Sequence, residues 1–149
     1  MTLRERLEAL AAFAPVFAAD GFQATAQVPV ARPGVYLGFT HAEVTNRFIQ
    51  MAYDYGWVRL LHWSEWRETE HGARTMQDPA AMACANEDNL VHVLTTCIRA
   101  DRFCEGYLAD AFDAGLIARV VARAETLLRE LPTVMKPAGP GSWQRSNRI

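Results

Sequence analysis

Asn86-Glu87-Asp88-Asn89-Leu90-Val91-His92-Val93-Leu94-Thr95-Thr96-Cys97-Ile98-Arg99 is the stretch whose reading decides the fold class. Leu90, Val93, Leu94, Cys97 and Ile98 recur at spacings of three and four. That period places them on one face of a helix and not on alternate sides of a strand. The spacing predicts a helix from about Asn86 through Arg99 with these five side chains turned inward.

C-terminal to it, residues 101–114 read as helical, with Phe103, Leu108, Ala111 and Phe112 inward, until Gly115 breaks the pattern. Leu116, Ile117, Val120, Val121, Ala124, Leu127, Leu128 and Leu131 then form a long amphipathic stripe that Pro132 stops. Towards the N-terminus, residues 67–79 are polar, with Gly72 and Pro79, and read as a surface loop. Trp57-Val58-Arg59-Leu60-Leu61-His62-Trp63-Ser64-Glu65-Trp66 reads as an irregular aromatic connection. A short strand over 57–61 would lead into a helical turn capped by Ser64.

Thr40-x-x-Glu43 has the form of a capping box. Val44, Phe48, Met51 and Tyr55 follow as an apolar stripe that Gly56 ends. Residues 22–39 carry Pro29, Pro33, Gly34 and Gly38 and read as a connector, with a possible short strand near 35–39. Thr2-x-x-Glu5 is a second capping box, ahead of Leu3, Leu7, Leu10, Ala14 and Phe17. Pro15 should kink or end that helix, because proline lacks the amide and crowds the preceding turn. The whole reads as a mainly α fold: a bundle of four or five helices forming one domain over 1–131, with a flexible basic tail over 132–149.

Composition bounds the rest. Half the residues are apolar and 21% are charged, which is the globular pattern. The three cysteines, Cys84, Cys97 and Cys104, would leave one over from any disulfide pairing, which points to a reducing compartment. Cys97 and Cys104 read as small core residues. No basic start followed by an apolar run and no span of membrane length occurs, so a cytoplasmic protein off the membrane is expected. Residues 64–131 carry seven arginines against twelve acids, which argues against nucleic-acid binding.

The candidate site residues sit around the central helix. If the helix continued past Arg99, Thr95, Arg99 and Arg102 would share a face. Two guanidiniums beside hydroxyls can clamp a carboxylate or phosphate. Asp101 and Glu105 are close enough to neutralise both, so the favoured reading is an internal ion-pair network that fixes how two helices meet. Trp63 and Trp66, with His62, can wall a pocket, although tryptophans more often fill a core. These residues define the alternative of a small anionic-ligand protein or enzyme, with its pocket between the Trp57–Trp66 segment and the third helix. His41, His62, His71 and His92 show no metal-ligand spacing, and no nucleophile elbow or phosphate loop occurs. No cofactor, metal or catalytic residue is expected. The leading expectation is a non-catalytic interaction or regulatory module acting through a helical surface, with a protein partner or a second copy.

Trp57 with Trp63-x-x-Trp66, followed by Leu94-Thr95-x-x-x-Arg99-x-Asp101-Arg102-Phe103-x-Glu105-Gly106, resembles a family of small bacterial proteins of unknown function. The resemblance covers about residues 40–130. It implies a recurring natural domain and brings no activity, cofactor or site residue with it.

Overall fold

The computed structural model describes residues 1–27 and 39–132. In chain order the elements are α1 (Leu3–Ala11), α2 (Ala14–Phe17), β1 (Thr25–Gln27), β2 (Phe39–His41), α3 (Glu43–Asp54), α4 (Trp63–Glu68), α5 (Glu70–Gln77), α6 (Pro79–Met82), α7 (Glu87–Ala100), α8 (Tyr107–Asp113) and α9 (Leu116–Glu130). The fold is mainly helical, with one two-stranded antiparallel sheet that pairs Thr25 with His41 and Ala26 with Thr40. All but Pro132 of the tail expected over 132–149, and all but Phe39 of the short strand expected near 35–39, lie outside the described residues.

The deciding stretch forms α7, bounded within a residue of where its spacing puts it. Asn86 and Asn89 cap each other's amides at its start, at 2.8 and 3.1 Å. The helix buries more than the five-residue stripe: Val91, Thr95, Thr96 and Ala100 are buried as well. A helix covered on nearly all sides is a core element, and α4, α5 and α8 all pack on this one. At the other side of the molecule α1 lies along α9, where Leu7 and Leu10 meet the Ile117, Val120 and Val121 stripe in one continuous core.

The Thr2–Glu5 capping box is present, with Glu5 N–H donating to Thr2 Oγ1 at 3.1 Å. Pro15 stands in the first turn of α2, where its missing amide is not needed, and the N-terminal helix breaks ahead of it at Ala11. The Thr40–Glu43 capping box does not form. Thr40 lies in β2, paired with Ala26, so Ala42 opens α3 without a side-chain cap. The hairpin and α3 are tied instead by Ala42 N–H and Thr45 Oγ1, both donating to the carbonyl of Ala24.

Further expectations are corrected. Residues 57–61 form no strand. Trp57 is fully buried, and the amides of Trp57 and Val58 donate back to Ala52 O at the end of α3. With those donors satisfied and no neighbouring strand edge, pairing has nothing to add. His62, not Ser64, precedes α4. The polar stretch 67–79 is not a loop: it holds the end of α4, all of α5 and the start of α6. Thr69 Oγ1 accepts from Gly72 N at 3.0 Å, and Asp78 Oδ1 accepts from Ala80 N at 2.9 Å, so α5 and α6 each have a cap that the lack of apolar residues concealed. Finally, α7 stops at Ala100 and α8 begins only after Gly106, whose φ of 87° suits a residue without a Cβ. The intervening turn carries Phe103 outward, 77% exposed, where inward packing was expected.

Candidate functional site

α4 presents Trp63 and Arg67 on one side, because residues four apart lie one helical turn along the same face. Trp66 borders that face and points to α7, where its ring lies 5.0 Å from that of His92. The indole of Trp63 stacks on Phe103 at a centroid separation of 6.1 Å and an interplanar angle of 29°. The Arg67 guanidinium stands 5.7 Å from both the Trp63 and the Tyr107 rings. A hydrogen bond with Tyr107, ahead of nearby charges, holds the Arg67 pKa above its ordinary value. Leu60, three residues before Trp63, is 94% exposed. The result is an aromatic surface, built from two segments distant in sequence, 63–67 and 103–107, with Arg67 against it.

The residues predicted from sequence divide between this surface and the core. Thr95 is fully buried; its hydroxyl accepts from Arg59 N at 3.2 Å and faces Trp57 O at 3.4 Å. It pins the aromatic connection to α7 and has no exposed oxygen to offer a ligand. Trp57 and Trp66 pack against the central core cluster, on the side of α7 where a pocket was expected. His62 is exposed at the start of α4. Trp63 and Trp66 are half-buried.

Arg99 and Arg102 do not form the expected ion-pair network. Because α7 ends at Ala100, Arg102 sits in the following turn and does not continue the Thr95–Arg99 face. Asp101, the expected neutralising partner, is engaged elsewhere: one oxygen meets His41 Nε2 at 2.9 Å and the other accepts from Leu108 N at 3.1 Å. Among the described residues neither Arg99 nor Arg102 has a carboxylate within salt-bridge distance. Arg102 is exposed and Arg99 half-buried. Cys104 is exposed, not core, because it lies in the same turn. Cys97 is buried, and desolvation pushes its thiol pKa up to about 12.

The His41–Asp101 pair was not anticipated. It borders a cavity of about 610 Å³ lined also by Thr25, Thr40, Glu105 and Asp110. The two residues are sixty positions apart and come from a hairpin and a helix end, so no local spacing announces them. A carboxylate-held imidazole can relay protons. Here the other ring nitrogen, Nδ1, is buried and has no hydrogen-bond partner among the described residues. The pair joins β2 to the end of α7. Among the described residues no three metal-ligating side chains converge, and no helix is long and apolar enough to cross a membrane.

Fold and surface together define a small helical domain with an exposed aromatic–arginine face. The chain belongs to the family of unknown function DUF6508, which it matches over residues 2–130. The match therefore takes in α1, which the motif resemblance over 40–130 did not reach. No curated protein and no solved structure matches the chain.

Proposed function

We propose that the protein is a non-catalytic interaction module of the bacterial cytoplasm, which docks an acidic segment with apolar side chains from a partner protein on the Trp63–Phe103 face. The observation that carries the reading is the exposure of Phe103 while it stacks on Trp63. Exposed apolar clusters rimmed by polar groups mark interaction surfaces, and Trp, Tyr and Arg dominate binding energy at such surfaces. Charge selects the partner. Arg67 faces the patch, Arg102 adjoins Phe103, and Arg99 lies one turn earlier. Glu65 falls on the opposite side of α4 by helical geometry, whereas Glu68 is near enough to act on Arg67. The three free cysteines accord with a reducing compartment.

The test is fluorescence anisotropy with a labelled peptide of alternating Leu and Glu, set against the same peptide with Lys in place of Glu. The acidic peptide is expected to bind at least tenfold more tightly than the basic one. Phe103→Ser should abolish the difference while leaving the circular dichroism spectrum unchanged. Equal binding of both peptides, or full binding by Phe103→Ser, would refute acidic docking at this face. Self-association that Phe103→Ser abolishes, seen by light scattering, would refute it in favour of a second copy of this chain as the occupant.

A further inference from the structure

On a different part of the molecule, α9 lies beside α6 and leaves a groove of about 300 Å³ lined by Pro79, Met82, Ala83, Arg119, Arg123 and Thr126. Met82 is almost fully buried beneath it, and the exposed Pro79, Ala83 and Ala122 form its apolar floor. Arg119 and Arg123 are four apart on α9, so both guanidiniums stand on one side of the helix. In a chain richer in acids than in bases, neither has a carboxylate within salt-bridge distance among the described residues. Their known bonds go to backbone carbonyls and leave most of each fork unused: Arg119 Nη1 donates to Ala114 O at 3.1 Å, and Arg123 Nε donates to Ala85 O at 2.8 Å. Those bonds also fix the two side chains against the helix ends.

Arg119 Nε is buried and has no acceptor among the described residues. A buried donor without a partner is uncommon, and a guanidinium offers five donors in a rigid plane. We infer that this groove is a binding site for a small organic anion, whose carboxylate lies between Arg119 and Arg123 and whose apolar body lies against Pro79 and Ala83. The supporting features are of separate kinds: a cavity at the small end of ligand-pocket size, two carboxylate-free forks on one helix face, and an orphaned donor at their root. The apolar floor distinguishes the expected ligand from a bare inorganic anion, because such a floor gains from covering hydrocarbon and gains nothing from a hydrated ion.

NMR titration of the whole chain, following the arginine Nε–H resonances, tests the assignment with three probes: hexanoate, hexanol and inorganic phosphate. Hexanoate is expected to shift the Arg119 and Arg123 signals and to bind about tenfold more tightly than either of the others. Arg119→Gln should weaken hexanoate about tenfold. Ala83→Phe, which narrows the groove without touching either arginine, should do the same and guards against a folding defect in the first variant. Hexanoate that leaves both arginine signals unmoved, binds no better than hexanol or phosphate, or binds both variants at full strength, rules the site out.

Discussion

Arg6 and Trp57 hold each other twice. The Arg6 guanidinium lies 4.3 Å from the centroid of the Trp57 ring, and Trp57 Nε1–H donates to the Arg6 carbonyl at 3.1 Å. The same guanidinium donates through Nε to Tyr55 O at 2.8 Å and through Nη2 to Gly56 O at 3.1 Å, and it pairs with Glu87 at the start of α7. One side chain from α1 therefore closes the C-terminus of α3, covers the buried indole and reaches the central helix. Desolvation, more than the nearby Arg59 charge, lowers its pKa.

Replacing Arg6 should thus be among the most damaging single changes. Arg6→Ala leaves Tyr55 O without its side-chain donor and leaves Glu87 and Gly56 O to Arg59 alone, at a cost of about 2–4 kcal/mol. Arg6→Lys keeps the charge but loses the planar fork, and it should recover less than half of that loss. Urea denaturation of the three proteins checks both values. A Lys variant as stable as the parent would show that the charge alone matters.

Gly72 makes a sharper case, because two physical rules predict opposite signs. Helix propensity says that Gly72→Ala inside α5 should stabilise by about 1 kcal/mol. The packing says otherwise: a Cβ there would stand 1.9 Å from the Trp66 carbonyl oxygen, which is backbone and cannot turn aside. Steric displacement of α4 should win and cost about 1–3 kcal/mol. Thermal melts of Gly72→Ala decide the sign.

The cysteines should divide two to one. Cys84 and Cys104 are exposed and should react with a thiol reagent in the native protein, whereas Cys97 should react only after denaturation. The sign of the pH dependence follows from the same burial. The Cys97 pKa is raised from 9.0 to about 12, so above pH 9 the unfolded chain releases a proton that the folded one keeps. This contribution to stability is complete below pH 9 and is lost as pH climbs towards 12. Cys97→Ala should remove that part of the alkaline loss, as equilibrium unfolding at pH 8 and pH 10.5 would reveal.

Phe103→Ser should leave stability within about 0.5 kcal/mol of the parent, since an exposed ring at a turn supports no core contact. A loss of several kcal/mol on chemical denaturation would mean that the Trp63–Phe103 stack serves the fold and not a partner.

Several parts of this architecture were legible because they are local. α7 and α9 carry enough apolar residues at helical period that their bounds follow to within a residue or two. The Thr2–Glu5 box and Pro15 act through atoms three or four residues away, so their effects need no tertiary partner. α5 escaped notice for the converse reason: its buried residues are Gly72 and Thr75, which no hydropathy pattern marks. The candidate site was half legible. Trp63 and Trp66 stood out by type, but whether a ring faces core or solvent depends on what packs beside it.

The amino-acid order by itself thus determined the helical class, the central and C-terminal helices and the first cap, because each rests on interactions within one or two turns. Tertiary structure alone decided that Asp101 turns to His41 and leaves Arg99 and Arg102 without a carboxylate among the described residues, that Phe103 faces outward, and that Arg119 and Arg123 border a groove. Those outcomes depend on which distant group arrives first within hydrogen-bonding reach. That is settled by how the helices pack and is not encoded in any short spacing.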